Sequence, residues 1–280
     1  MKKIFYFFAA TLVLAAVGCS KDDATIDDVQ YVSELKVKFE GDTRVGYTHD
    51  TTTGLKFAWE EDDMLLVYKK GEYSSNFLNF RYNASTETFE GVNVSDVMEV
   101  GQEYTALYGI GISFVAADQI NGKLTSPATL AQIPMVSDTF TATNGATIAT
   151  MHHLVGVIEI PVKATIDGKK LTHIEVNMFN DPTKKLCGNF RISQSAPKTI
   201  IPVDGISYNN QSQTFDPAIT LSASEATSIF IPVFPVSGGI VQIDYKFEGD
   251  VAERSMSRFD EKTLTVVRGE ITKIKEVILD

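Results

Sequence analysis

In this chain of 280 residues the side chains suited to catalysis or metal binding are few and scattered. There are two cysteines, Cys19 and Cys187, and four histidines, of which His152 and His153 are adjacent. Successive side chains of an extended strand point to opposite faces, so the histidine pair cannot close on one ion without a bend. Glu60-Glu61-Asp62-Asp63 gathers four carboxylates between two apolar runs, and carboxylate oxygens are the ligands calcium takes. The spacing of a calcium-binding helix–loop–helix, with its glycine, is missing there, and the run reads as an acidic solvated turn. A G-x-S-x-G elbow, a G-x-G-x-x-G turn and a G-x-x-x-x-G-K-[ST] loop are all absent. No catalytic residue, metal site or cofactor is expected, and the chain reads as a non-enzyme.

Cys19 carries a different chemistry. Lys2 and Lys3 precede an apolar run from Ile4 to Val17, which ends in Ala15-Ala16-Val17-Gly18-Cys19. That run is shorter than the ~20 residues a membrane-spanning helix needs, and small residues sit where a signal peptidase must fit the chain. Ala16-Val17-Gly18-Cys19 resembles the lipobox of bacterial lipoproteins, which implies acylation of the Cys19 thiol and cleavage after Gly18. Three acyl chains on the new N-terminus would hold the protein to a membrane by lipid alone. Ser20-Lys21-Asp22-Asp23 resembles the acidic tag that directs lipoproteins to the outer face of the outer membrane. The other cysteine, Cys187, sits in a strand-like run and reads as a buried small hydrophobe.

Composition sets the limits. Lys and Arg number 25 against 36 Asp and Glu, and the net charge of −11 opposes a broad electrostatic grip on nucleic acid. Removing the leader takes away Lys2 and Lys3 and no acidic residue, which makes the mature chain more negative still. Short runs rich in Val, Ile, Tyr, Phe and Thr, separated by Gly, Asn, Asp and Ser, fill the chain beyond residue 30 and predict an all-β protein. Leu35, Val37 and Phe39 alternate with Lys36 and Lys38, and Leu55, Phe57 and Trp59 alternate with Lys56 and Ala58. Residues 118–129 and 137–144 read as long loops. The strands that this pattern predicts exceed one sandwich, so two tandem β-sandwiches are expected, with one large elaborated sandwich as the alternative. The division is a signal peptide over 1–18, a linker over 19–30, an N-terminal sandwich over 31–147 and a C-terminal sandwich over 148–280.

The N-terminal motifs, read in order, resemble the fimbrillin family. They are Thr43-Arg44, then the run from Gly54 through Trp59 to Asp63, then Met64-Leu65-Leu66-Val67-Tyr68. Met151-His152-His153-Leu154 followed by Val155 to Ile160, Leu186-Cys187-Gly188-Asn189-Phe190, and the tail from Leu264 to Ile271 match later segments of that family. The resemblance implies transthyretin-like sandwiches in a lipoprotein of surface fimbriae. It also implies an Arg-specific protease that cuts after the first strand, here at Arg44, so that Leu35 to Phe39 is given up and a neighbouring subunit's strand fills the groove. The partners implied are other fimbrial subunits, the processing protease and the outer membrane. The C-terminal strand, Ile271 to Leu279, is then either the donor or the last ordinary strand of its own domain. A non-polymerising anchor, or a glycan-binding surface lipoprotein with Tyr73, Phe77 and Tyr108 as a stacking platform, are the other readings of the chain.

Overall fold

The computed structural model describes residues 29–39, 48–50, 54–56, 59–72, 77–109, 113–116, 119–125, 133–179, 181–193, 198–257 and 264–280. Among them every regular element is a strand. Seven strands form one ring: β1 (Glu34–Phe39), β2 (Met64–Lys69), β3 (Leu78–Asn83), β4 (Thr88–Gly91), β5 (Glu103–Tyr108), β6 (Met135–Ser137) and β7 (Ile148–His153). They are hydrogen-bonded in the order β6-β7-β1-β4-β3-β2-β5, and β5 pairs back onto β6. The all-β expectation holds, but the N-terminal half is a closed barrel where an open sandwich was expected. Closure depends on the short strand β6, whose Met135 lies opposite Tyr108 on one side and His153 on the other. The buried Ser137 hydroxyl reinforces that seam by accepting the Ala106 N–H at 2.8 Å.

Local pattern dictates most of the ring. In β1 Leu35 is buried and Val37 and Phe39 are half-buried, whereas Glu34, Lys36 and Lys38 are exposed, the alternation of a strand with one wet face. Leu35, Leu65, Val67, Phe80, Phe89 and Met151 belong to one continuous apolar core. Tyr104, Thr105, Ala106 and Leu107 are all buried, because β5 is covered on both faces, and Lys198 from the second half of the chain reaches its Thr105 hydroxyl at 3.1 Å.

A four-stranded sheet joins the two halves. It runs Ser113–Ala116, Gln119–Leu124, Cys187–Ile192 and Ile200–Tyr208, two strands from each side of residue 148. Part of the segment expected as a loop over 118–129 is therefore a strand, pairing Asn121–Leu124 with Gly188–Arg191. Phe140–Thr141, also expected in a loop, pairs with β5.

The C-terminal part is a sandwich of two sheets. One runs β10 (Asn210–Thr220), β9 (Lys170–Phe179), β12 (Ile240–Phe247) and β13 (Arg254–Ser257). The other places β11 (Thr227–Val233) beside β8 (Gly156–Ala164), with β14 (Ile271–Lys273) and β15 (Val277–Leu279) both parallel to β8 on its far side. A second apolar core, including Ile158, Ile160, Val176, Ile231, Ile243 and Leu279, fills this sandwich. Cys187 is buried, and burial first, then the nearby Glu175 charge, push its thiol up to about 12, so it remains a protonated, inert side chain.

If β1 holds the barrel through its inward face, Leu35→Ala should lower the unfolding free energy by about 3 kcal/mol, the usual cost of a buried leucine. Lys36→Ala should change it by no more than about 0.5 kcal/mol. Urea denaturation followed by tryptophan fluorescence, with Trp59 beside the strand, reads both values.

Candidate functional site

The unusual feature of the barrel is the seat of β1. Its register with β7 is parallel and unbroken, Lys36–Phe39 against Ile148–Met151, and the Lys36 N–H adds a bond to the Thr147 carbonyl at 2.9 Å. On its other side only Glu34 and Leu35 pair with β4, opposite Glu90 and Phe89. Every other neighbouring pair in the ring is antiparallel. The residues just before β1 are also tied down: Tyr31–Val32 pairs with Met98–Glu99, Val100 N–H donates to the Gln30 carbonyl at 2.8 Å, and Asn144 bonds the Gln30 side chain. The N-terminal segment is thus a single run laid across the barrel and inserted into it.

An aromatic cluster receives the end of β1. Phe39 stacks on Trp59 at 5.2 Å between ring centroids, and Trp59 meets Phe89 and Tyr108 edge-on at 4.9 Å and 5.1 Å. The Tyr108 hydroxyl donates to Asp63 at 2.9 Å, and burial, then the Asp63 charge, push this phenol above its ordinary range. The acidic run Glu60 to Asp63 is the turn that holds Trp59 in place. Asp63 accepts the Glu60 N–H at 2.8 Å, Glu61 accepts the Ala84 N–H at 2.8 Å, and Asp62, with φ of 73°, lies 3.5 Å from Arg81. Three of its four carboxylates are thus engaged within the protein, and among the described residues no three His, Cys, Asp or Glu side chains gather as a metal would need. Phe77 and Tyr108 both pack against the barrel core, so these two rings of the expected glycan platform face inward; Tyr73 lies outside the described residues.

His152 and His153 diverge as expected of neighbours on a strand. His152 pairs with Asp138 at 2.9 Å, while His153 is buried where the barrel meets the C-terminal sandwich. Beside it, Gly269 N–H donates to Val155 and Arg268 donates to the Lys198 carbonyl at 2.6 Å. Burial, then the charges of Arg268 and His152, lower His153 to about 4. Cys19, Gly18 and Arg44 lie outside the described residues. Sequence reasoning found β1 through its alternation but missed its parallel partner β7, whose pairing leaves no local mark.

No protein-family model matches the sequence, and no curated protein sequence does either. Solved structures do match in fold. A candidate cell adhesion protein of Bacteroides ovatus superimposes with a TM-score of 0.53 at 15% identity, over 88% of this chain and 92% of its own. A candidate cell adhesion protein of Bacteroides uniformis does so with a TM-score of 0.51 at 11% identity, over 86% and 93%. The structural neighbours are thus candidate adhesion proteins of Bacteroides, in keeping with the fimbrillin resemblance read from the N-terminal motifs.

Because His153 is held neutral, its contribution to stability is complete above about pH 6.5, its unfolded value, and is lost as pH falls toward about 4. The expected loss over that window is up to about 3 kcal/mol. Urea titrations at pH 7, 5.5 and 4 should show it, and His153→Leu should flatten the slope between pH 6.5 and 4. A slope unchanged in the variant would assign the acid sensitivity to other groups.

Proposed function

We propose that this protein is a non-enzymatic structural component of cell-surface fimbriae, a lipoprotein anchored through Cys19 to the outer membrane and opened by Arg-specific cleavage at Arg44. The observation that carries the reading is the position of β1. It lies N-terminal to Arg44, and the barrel is continuous only while β1 sits between β4 and β7. A cut at Arg44 leaves β1 joined to the lipidated segment and no longer to the body of the barrel. Its departure would expose unpaired N–H and C=O groups on β4 and β7 and an apolar trough that includes Phe89 and Met151. Such a trough is filled by another strand. The fold-level likeness to Bacteroides candidate adhesion proteins, the lipobox and the order of fimbrillin-like motifs support the same reading.

Burial of Leu35 alone is worth about 2 kcal/mol, so β1 should leave by exchange with an incoming strand and not by simple dissociation. The test is cleavage of the purified chain by an Arg-specific protease, followed by a labelled synthetic peptide of residues 31–41. The cut chain should lose everything up to Arg44 and take up the peptide, while Arg44→Ala should do neither. Equal uptake by the uncut chain or by the Arg44→Ala variant would sink the mechanism. In cells, Cys19→Ala should move the protein from the membrane fraction to the soluble fraction.

A further inference from the structure

We propose that the strand that refills the opened barrel comes from a different protein, and that this chain's own C-terminal strand stays in its sandwich. The inference rests on the exchange reading above and concerns the identity of the partner. The slot left by β1 has three seats on its inner face. The first, that of Leu35, is fully buried; the second and third, those of Val37 and Phe39, are half-buried, and the third lies on the Trp59 ring. A filler must present apolar side chains at three alternate positions, with an aromatic at the third. It must do so without irregularity, since the pairing of β1 with both neighbours is free of register shifts.

The C-terminal strand does not meet this demand. On one parity it offers Thr272, Ile274, Glu276 and Ile278; on the other Ile271, Lys273, Lys275, Val277 and Leu279. Neither has three apolar residues in succession, so a regular fit places a Lys, a Glu or a Thr in one of the apolar seats, or runs off the end of the chain. In its own sheet the strand solves the problem with a bulge. Ile271, Thr272 and Lys273 pair with Val157, Ile158 and Glu159, whereas Val277, Ile278 and Leu279 pair with Val162, Lys163 and Ala164, so one extra residue lies between the two segments. The bulge lies opposite Pro161. The Val157 N–H and the Glu159 carbonyl face the C-terminal strand, and the same-side donor two residues on would be Pro161, which has no N–H to give. An extra residue costs no ladder bond there. The seat of β1 has no such gap: Glu34 and Leu35 pair with β4 and Lys36 to Phe39 pair with β7, so an extra residue there would cost a ladder bond.

The strand is also fastened where it is. Val277 and Leu279 are buried, Lys273 meets Glu159 at 2.7 Å, Glu276 meets Lys163 at 3.2 Å, and Arg254 donates to the Asp280 carbonyl at 2.6 Å. The partner that fits the opened barrel is therefore an extended segment of another chain with the pattern apolar-x-apolar-x-aromatic, running parallel to β7.

The test uses the full chain cut at Arg44 and three labelled peptides: residues 31–41, residues 269–280, and residues 269–280 with Lys275 deleted. Deletion removes the extra residue and sets Ile274, Val277 and Leu279 in strict alternation. The first peptide should bind, the second should bind at least about tenfold more weakly, and the deletion should recover part of that difference, the third seat then holding a leucine in place of an aromatic ring. The cut chain alone should stay monomeric on size exclusion. Equal binding of the first two peptides, or ladders formed by the cut chain alone, would overturn the inference while leaving strand exchange intact. Failure of the cut chain to release its first strand or to take up any peptide would overturn the exchange reading, and this inference with it.

Discussion

The structure depends on one strand being hydrogen-bonded on both sides by partners that cannot reach each other without it. β1 stands between β4 and β7, which come from distant parts of the sequence, and its pairing with β7 is the only parallel joint in the ring. A closed barrel has no edge, so its backbone donors and acceptors need no charged residues or prolines for protection. That freedom lasts only while the ring is complete. The C-terminal sandwich follows the other rule: its exposed edge at β14 and β15 carries Lys273, Lys275, Glu276 and a bulge. One half of the molecule is protected by closure and the other by its edge chemistry.

Trp59 shows how the aromatic and acidic features of the N-terminal half act together. Its ring touches Phe39 of the closing strand and the rings of Phe89 and Tyr108, while Asp63, a few residues on, takes the Tyr108 hydroxyl. Of the four consecutive carboxylates that suggested a cation site, Glu61, Asp62 and Asp63 are spent on backbone N–H groups, a phenol and an arginine. Sequence alone shows the charge but not the donors, since Arg81 and Tyr108 arrive from other strands and Ala84 from the turn after β3.

Much of the fold could be read from alternation. Leu35 to Phe39 forms a strand with the face expected of it, and the long apolar run from Leu154 to Val162 becomes the central strand β8, buried on both faces. What escaped reading was whatever depends on distant partners. β6 is three residues long and has no period of its own; it is a strand because β5 and β7 both present bonding edges to it. Gln119–Leu124 carries Asn121, Gly122 and Lys123, poor strand formers, and is held extended by Cys187–Ile192. The broken alternation of Ile271 to Leu279 was visible in the sequence, but the bulge that accommodates it opposite Pro161 depends on the neighbouring strand. The candidate site was legible to the same extent, its strand plain and its neighbours hidden.

The sheet that takes two strands from each half of the chain has a mechanical consequence. Two domains joined only by a linker behave as beads on a string, free to swivel and to align with any pull. Here Gln119–Leu124 and Cys187–Ile192 are stitched together by a ladder, and Lys198, itself held by Arg268, adds a bond to Thr105 across the same junction. A pull that parted the two halves would first have to take the stitched sheet apart.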